Sequence, residues 1–534
     1  MLVAADFFAA ASAPTVLLVL GGQRLAPVGL CSSKRALLAM RALLAMLVAT
    51  WAWPSVADAG PRGAAVLGPA TRGAATTLPA TTLPATTLPA TTLPATTLPA
   101  TTVGSTGALA LRDERALQAE LSQATSPVAL GPGTAKESCA EVVQGGRVIF
   151  EDHPALPVVP ASNMKLLTAG AVLARLGPER RFYTMVLAAS SPVSGVVHGD
   201  LYLRGGGDPL LRLPSYAAGF APGGGVYTDF AALPRLLKAA GVREVTGSVI
   251  GDAKRYDSLT TVPGWPARYQ AQGDVGPLSA LAIDDGFALA GAPVPENGPP
   301  AVQAAGVLTD MLRQAGIEVG GLPGQGRAPA GARSIATLAS PPLRSELGEI
   351  LRESDNTAME LLTKELGLAQ YGSGSTAAGT RAVRQDLASE GLPMRGFVNV
   401  DGSGLSYGDR VTCVLLVAML ERSGPDGLLV RDLPVAGSSG TLAGQMVGTP
   451  AAGRVRAKTG NLDGIVALSG WAYPEGAGAH SDPALHRPLA FAVVLNGLSL
   501  SLPDPFGLTF KVAEDLAAFP AANPPARAPS QSPT

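Results

Sequence analysis

The sequence predicts an α+β fold, an antiparallel sheet covered by helices and carrying an inserted β-rich region, on three observations. Near the C-terminus "GRVRAKTG", "GIVALSGWAY" and "LAFAVVLNG" are short apolar runs that read as three strands ending near Asn496, before a closing helix "GLTFKVAEDLAAF". Upstream, "SNMKLLTAGAVLARLG" and "LRSELGEILRESDNTAMELLTKELG" (343–367) carry the apolar spacing of helices. Between about 200 and 335 the texture changes to glycine-rich turns such as "RGGGDPLL" and "GDVGPLSALAIDDG", with short strand-like runs such as "EVTGSVIGD".

Taken from the N-terminus, residues 1–59 form an export signal region. Lys34, Arg35 and Arg41 precede an apolar run, and Ala57-Asp58-Ala59 is a small-x-small cleavage site. Translation starting near Met40 fits this signal better than the longer leader, and the alternative is that the apolar segment is retained as a membrane anchor. Residues 60–114 are a linker in which TTLPA is repeated in tandem from Thr76 to Ala100. With no apolar period to bury and proline in every unit, it is a semi-stiff tether. "SCAEVVQGGRVIFEDH" is a hairpin turning at Gly145-Gly146 that leads into the first helix. The folded part then divides into 115–200 with 336–522, the catalytic domain, and 201–335, the insertion; 523–534 is a disordered tail.

Composition narrows the function. A hydrophobic content of 47% over 534 residues supports a sizeable core, and a net charge of -1 with no basic block gives nothing for nucleic acid to bind. The four histidines, His153, His198, His480 and His486, and the three cysteines show no metal-ligand spacing, so neither a metal nor another cofactor is expected. Glycine triplets at 205–207 and 223–225 lack the Gly-Lys-Ser/Thr continuation of a phosphate loop and read as turns.

Three short motifs carry chemistry. Ser162 lies three residues before Lys165 at the start of a helix, just under one turn, which places amine and hydroxyl on one face. A serine ahead of an apolar run is also an ordinary helix cap. The chemical alternative is that a lysine with a lowered pKa takes the serine proton and makes it a nucleophile. Further on stand Ser354-Asp355-Asn356 and Lys458-Thr459-Gly460. Each is weak alone, but Ser-x-x-Lys, Ser-Asp-Asn and Lys-Thr-Gly in this order are the signature set of penicillin-binding proteins and class A β-lactamases.

The sequence resembles the class C low-molecular-mass penicillin-binding proteins, the D-alanyl-D-alanine carboxypeptidase and endopeptidase family. Besides the motifs, the resemblance includes "GDLYLRGGGDPLL", "GSVIGDAKRYD", "LSALAIDDG", "NVDGSGLSYGDRVT" and "LPVAGSSGTLAGQM". It implies the penicillin-binding-protein/β-lactamase-like fold, with small accessory domains inserted between the first two motifs. It implies an exported, cell-wall-associated serine peptidase acting on peptidoglycan stem peptides and acylated by β-lactams. Carried over, Ser162 is the nucleophile and Lys165 its base; Ser354 and Asn356 contact the lysine, relay the leaving-group proton and hold the substrate amide. Lys458 and Thr459 take the terminal carboxylate, Gly460 and Asn461 line the strand edge, and the backbone N–H groups of Ser162 and Asn461 form the oxyanion hole.

The chain departs from the family at Asn461, where threonine or serine is usual, so a hydroxyl for the carboxylate is missing. Arg454, Arg456 and Lys458 alternate along one strand, either as a solvated edge or as a cationic face for an acidic peptide. Two alternatives to the peptidase remain at this level, a β-lactamase and an inactive peptidoglycan-binding protein. Cys139 and Cys413 are either a disulfide, available to an exported protein, or two separate buried thiols.

Overall fold

The computed structural model describes residues 19–20, 23–24, 105–124, 137–220, 225–287, 298–474, 487–500 and 504–519. Two compact units divide the chain. In the first, Met1–Val103, an antiparallel pair joins Val19–Leu20 to Gln23–Arg24. The export signal from Lys34 to Ala59, the TTLPA tether and the 523–534 tail lie outside the described residues. Among the described residues no helix is long and apolar enough to cross a membrane.

The second unit, Gly104–Thr534, begins with helix α1 (Ser105–Ala124) and the hairpin β1 (Ser138–Gln144) and β2 (Arg147–Asp152). The hairpin turns where expected: Gly145 and Gly146 have φ of 57° and 79°, the left-handed region that glycine enters without penalty. Helix α2 (Met164–Leu176) follows. Next come β3 (Tyr183–Ala188), β4 (Leu201–Arg204), β5 (Val249–Asp252), α3 (Pro300–Gln314), β6 (Gly324–Gln325) and β7 (Arg333–Ala339). The chain then runs through α4 (Leu343–Glu353), α5 (Asn356–Tyr371), α6 (Thr376–Ser389) and α7 (Cys413–Ser423). It closes with β8 (Val455–Leu462), β9 (Ile465–Ala472), β10 (Leu489–Leu495) and α8 (Gly507–Ala518).

The main sheet is antiparallel throughout, in the order β8-β9-β10-β1-β2. It is buried on both faces, and β10 shows why its sequence is an unbroken apolar run. Ala490, Ala492 and Val494 face the core shared with α2, α5 and α7, while Leu489, Phe491, Val493 and Leu495 face the core under α1 and α8. Side chains alternate across a strand, so both halves of the alternation must be apolar here. Cys139 of β1 and Cys413 at the start of α7 are joined by a disulfide, with Cα atoms 5.9 Å apart, which ties the sheet to a helix on its first face.

A second, mixed sheet, β6-β5-β4-β3-β7, makes the inserted region, with α3 packed on β5. β3 and β7 pair with each other along their length, so this sheet reaches beyond 201–335 on both sides. The expected continuous helix 343–367 is two helices. Ser354 ends α4 in the left-handed conformation with φ of 60°, and the Asp355 side chain caps α5 by accepting from Ala358 N.

Candidate active site

The nucleophile candidate sits on a strained turn. A 3-10 turn, Ala161–Asn163, precedes α2, and Ala161 has φ of 47°, an uncommon conformation for a residue with a Cβ. Neither Pro160 nor Asn163, the residues at the two cap positions, makes a side-chain cap bond. The Ser162 hydroxyl instead meets Lys165, whose Nζ lies 3.0 Å from Oγ.

Lys165 is completely buried, and its three donors all have acceptors: Ser162 Oγ, Asn356 Oδ1 at 2.5 Å and the Ser403 carbonyl at 2.8 Å. Two of these are neutral carbonyl-type oxygens that bind N–H whether or not the amine is charged. A neutral Lys165 that keeps both bonds directs its lone pair at the Ser162 hydroxyl. Burial lowers this ammonium to about 8, while the charges of Asp401, Glu360 and Asp355 oppose the shift. The second lysine, Lys458, is itself held well below the usual lysine range, first by burial and then by repulsion from Lys165. Burial is thus the main cause of the lowering at Lys165.

The three motifs converge, with different intimacy. Asn356 joins Lys165 directly. Ser354 contributes none of the three bonds that engage the amine; it lies half-buried at the break between α4 and α5. Lys458 is fully buried on β8 and donates to the Thr459 carbonyl at 2.9 Å. Gly460 passes so close to the nucleophile turn that a Cβ there would lie 2.8 Å from Asn163 Nδ2 and 2.9 Å from the Pro160 carbonyl oxygen. Asn461, the departure from the family pattern, is exposed and pairs with Val466 of β9. Of the basic stripe, Arg456 stacks its guanidinium 5.4 Å from the Tyr473 ring centre, and Lys458 faces the interior.

Several supporting groups had no role assigned from the sequence, although "NVDGSGLSYGDRVT" is part of the resemblance. Glu360 of α5, fully buried, accepts from Gly402 N and Ser403 N at 2.9 and 2.8 Å and so fixes the chain that leads into the Ser403 carbonyl. Burial raises its carboxyl to about 8. Asp401 accepts from Gly404 N, Ser406 N and Trp265 Nε1 at 2.7 to 2.8 Å. Gly404 must be a glycine, because a Cβ there would lie 1.9 Å from the Ala161 carbonyl oxygen. "NVDGSGLSYGDRVT" is thus the floor of the site.

The inserted region grips three consecutive residues, the last two of the second motif and Thr357 after them. Arg212, fully buried, pairs with Asp355 at 2.5 Å and stacks 4.2 Å from the Phe220 ring centre. The Asp274 carbonyl accepts from Asn356 Nδ2 at 2.7 Å, and Gly276 N donates to Thr357 Oγ1 at 2.8 Å. Both ends of the Asn356 amide are therefore committed, one to the base and one to the insertion.

Known proteins resemble this chain in sequence and in fold. A D-alanyl-D-alanine carboxypeptidase of Actinomadura sp. (strain R39) is 30% identical over 454 residues, spanning 70% of this chain and 79% of the relative. A carboxypeptidase of Mycobacterium tuberculosis is 32% identical over 342 residues, spanning 61% of this chain and 70% of the relative. In fold, penicillin binding protein 4 (dacB) from Haemophilus influenzae superposes with a TM-score of 0.61 at 21% identity, over 74% of this chain and 98% of that one. A sequence profile matches residues 121–301 and 298–505, which is well over half of the chain, and this chain belongs to the family it describes, D-Ala-D-Ala carboxypeptidase 3 (S13).

Proposed function

We propose that the reaction of this family, release of the terminal D-alanine from a D-Ala-D-Ala peptide, runs in this chain through an ester on Ser162 with Lys165 as base. The observation that carries the reading is the Lys165 amine, buried and held by Asn356 Oδ1 and the Ser403 carbonyl with its third position on Ser162 Oγ. The Ser162 proton passes to Lys165 Nζ as Oγ attacks the carbonyl carbon between the two D-alanines. The C–N bond then breaks, and the proton returns to the leaving amine through Ser354, which the amine bonds leave uncommitted. Water cleaves the ester and regenerates Ser162. Backbone N–H groups of Ser162 and Asn461 hold the oxyanion, and Lys458 with Thr459 takes the terminal carboxylate.

The substrate is the peptidoglycan stem peptide, with DD-endopeptidase cleavage of cross-links as a second activity of the same ester chemistry. β-Lactams acylate Ser162. The site works outside the cytoplasm, secreted and associated with the cell wall. The Lys34-to-Ala59 pattern supports export, and the Cys139–Cys413 bridge suits an oxidising compartment. A membrane is a partner only if the apolar segment before Ala57 is retained.

Labelling with a fluorescent penicillin tests the assignment. Ser162→Ala abolishes both the label and D-alanine release, and Lys165→Ala lowers both by at least about a thousandfold. A label that survives Ser162→Ala refutes the nucleophile, and rapid turnover of benzylpenicillin by the unaltered chain makes it a β-lactamase.

A further inference from the structure

A carboxypeptidase must recognise a free carboxylate, and the strand edge that does so lacks one hydroxyl, because Asn461 stands where threonine or serine is usual. A neighbouring segment brings another. Residues 434–436 run along the outer edge of β8, with Ala457 N donating to the Pro434 carbonyl and Ala436 N to the Val455 carbonyl, both at 3.0 Å. The chain then forms a 3-10 turn, Gly440–Leu442, in which Leu442 is fully buried in the core behind β8.

Gly440, with φ of 58°, fixes the other side of this turn; a Cβ there would lie 2.4 Å from the Arg352 carbonyl oxygen, two residues before Ser354. Between these anchors Thr441 is exposed, and its Oγ1 lies 2.8 Å from Thr459 Oγ1. Thr459 is 8% exposed and directly precedes Gly460, which touches the nucleophile turn. Two hydroxyls that share one hydrogen bond use one proton between them. The second proton remains for an acceptor outside the pair, and an anion is the strongest such acceptor.

We infer that Thr441 is a substrate-binding residue, which with Thr459 presents a paired hydroxyl to the C-terminal carboxylate of the peptide and replaces the hydroxyl absent at Asn461. The inference rests on the peptidase reading above and adds to it a residue outside all three motifs. Thr441 acts on ground state and transition state alike, because the carboxylate does not change during acylation, so it sets affinity rather than the chemical step.

The test separates this role from the reaction itself. In the Ser162→Ala background, titration calorimetry reads the affinity for a peptide ending in D-Ala-D-Ala with a free carboxylate and for its C-terminal amide. Thr441→Val weakens binding of the free acid about tenfold or more, the loss of one hydrogen bond to a charged group. Thr441→Ser restores it. The amide binds both proteins equally. In the chain with Ser162 present, the same substitution raises KM with kcat changed less than about twofold.

Unchanged affinity for the acid in Thr441→Val, no rescue by serine, or an equal loss with the amide each overturns the inference. If the unaltered chain releases no D-alanine while Thr441→Val still weakens binding of the acid alone, the peptidase reading fails and the carboxylate site stands.

Discussion

Lys165 is the residue whose protonation decides the chemistry, and its surroundings set the sign of the pH dependence. Acylation needs the neutral amine. Burial has brought the ammonium down to about 8, so the rate must rise as pH rises through that value and then level off. Measured as the second-order rate of penicillin labelling, the acid limb falls near pH 8, and a rate already flat from pH 6 contradicts Lys165 as the free base. Asp401, Glu360 and Asp355 are the charges that hold the amine up, and Lys458 is the cation facing it from β8. The pairing of Ser162 with Lys165 was legible in the sequence because three residues bring two side chains together on a helix. The Ser403 carbonyl was not legible, because a backbone oxygen belongs to every residue and only the fold orients this one, through Asp401, which holds the Gly404 N–H of the same peptide unit. Thr441 was equally hidden, for its partner Thr459 is met across a strand edge.

At the scale of elements, the break between α4 and α5 is where the apolar pattern misled. The spacing of Leu343, Leu347, Ile350, Leu351, Ala358, Leu362 and Leu366 runs through the motif without interruption, and all seven are buried in one core. Nothing in that spacing shows that Ser354 turns left-handed and that Asp355 restarts the helix as its cap. The break lifts Asn356 to Lys165, and the insertion stabilises it through Asp355, Asn356 and Thr357. Thr357→Val removes the acceptor of the buried Gly276 N–H, which costs about 1–3 kcal/mol in an interaction that positions Asn356. The expected outcome is acylation slowed about tenfold with penicillin affinity nearly kept, and recovery in Thr357→Ser. If Thr357→Val lowers the melting temperature and leaves the acylation rate unchanged, the contact is structural only. The disulfide stayed open in the sequence for a related reason: Cys139 and Cys413 come together only when the β10–β1 register places Cys139 opposite Val494, under α7.

Across the whole molecule, the inserted region and the catalytic core are joined by buried polar groups as much as by apolar ones. Its bounds were drawn too narrowly from the sequence because β3 and β7, which close its sheet, have no glycine-rich texture and meet only through non-local pairing. At the junction Asp208, after β4, and Glu346, on α4, are both buried, and one carboxylate oxygen of each, Oδ2 and Oε1, has no hydrogen-bond partner among the described residues. Burial raises Asp208 to about 6, and burial together with Asp208 holds Glu346 well above the carboxylate range. The charged forms are disfavoured in the folded state, so folding stability from this pair is greatest below the unfolded value of about 4 and declines as pH rises through 6 and beyond. Glu346→Gln keeps a donor for Asp208 and removes one titration. The melting temperature of the variant minus that of the unaltered chain therefore grows as pH is raised from 5 to 8. The difference is the proper readout, because Lys458, lowered by burial, and Asp285, raised to about 7, also respond to pH but are common to both proteins. A difference that stays flat from pH 5 to 8 shows that Glu346 does not carry the pH response of the junction.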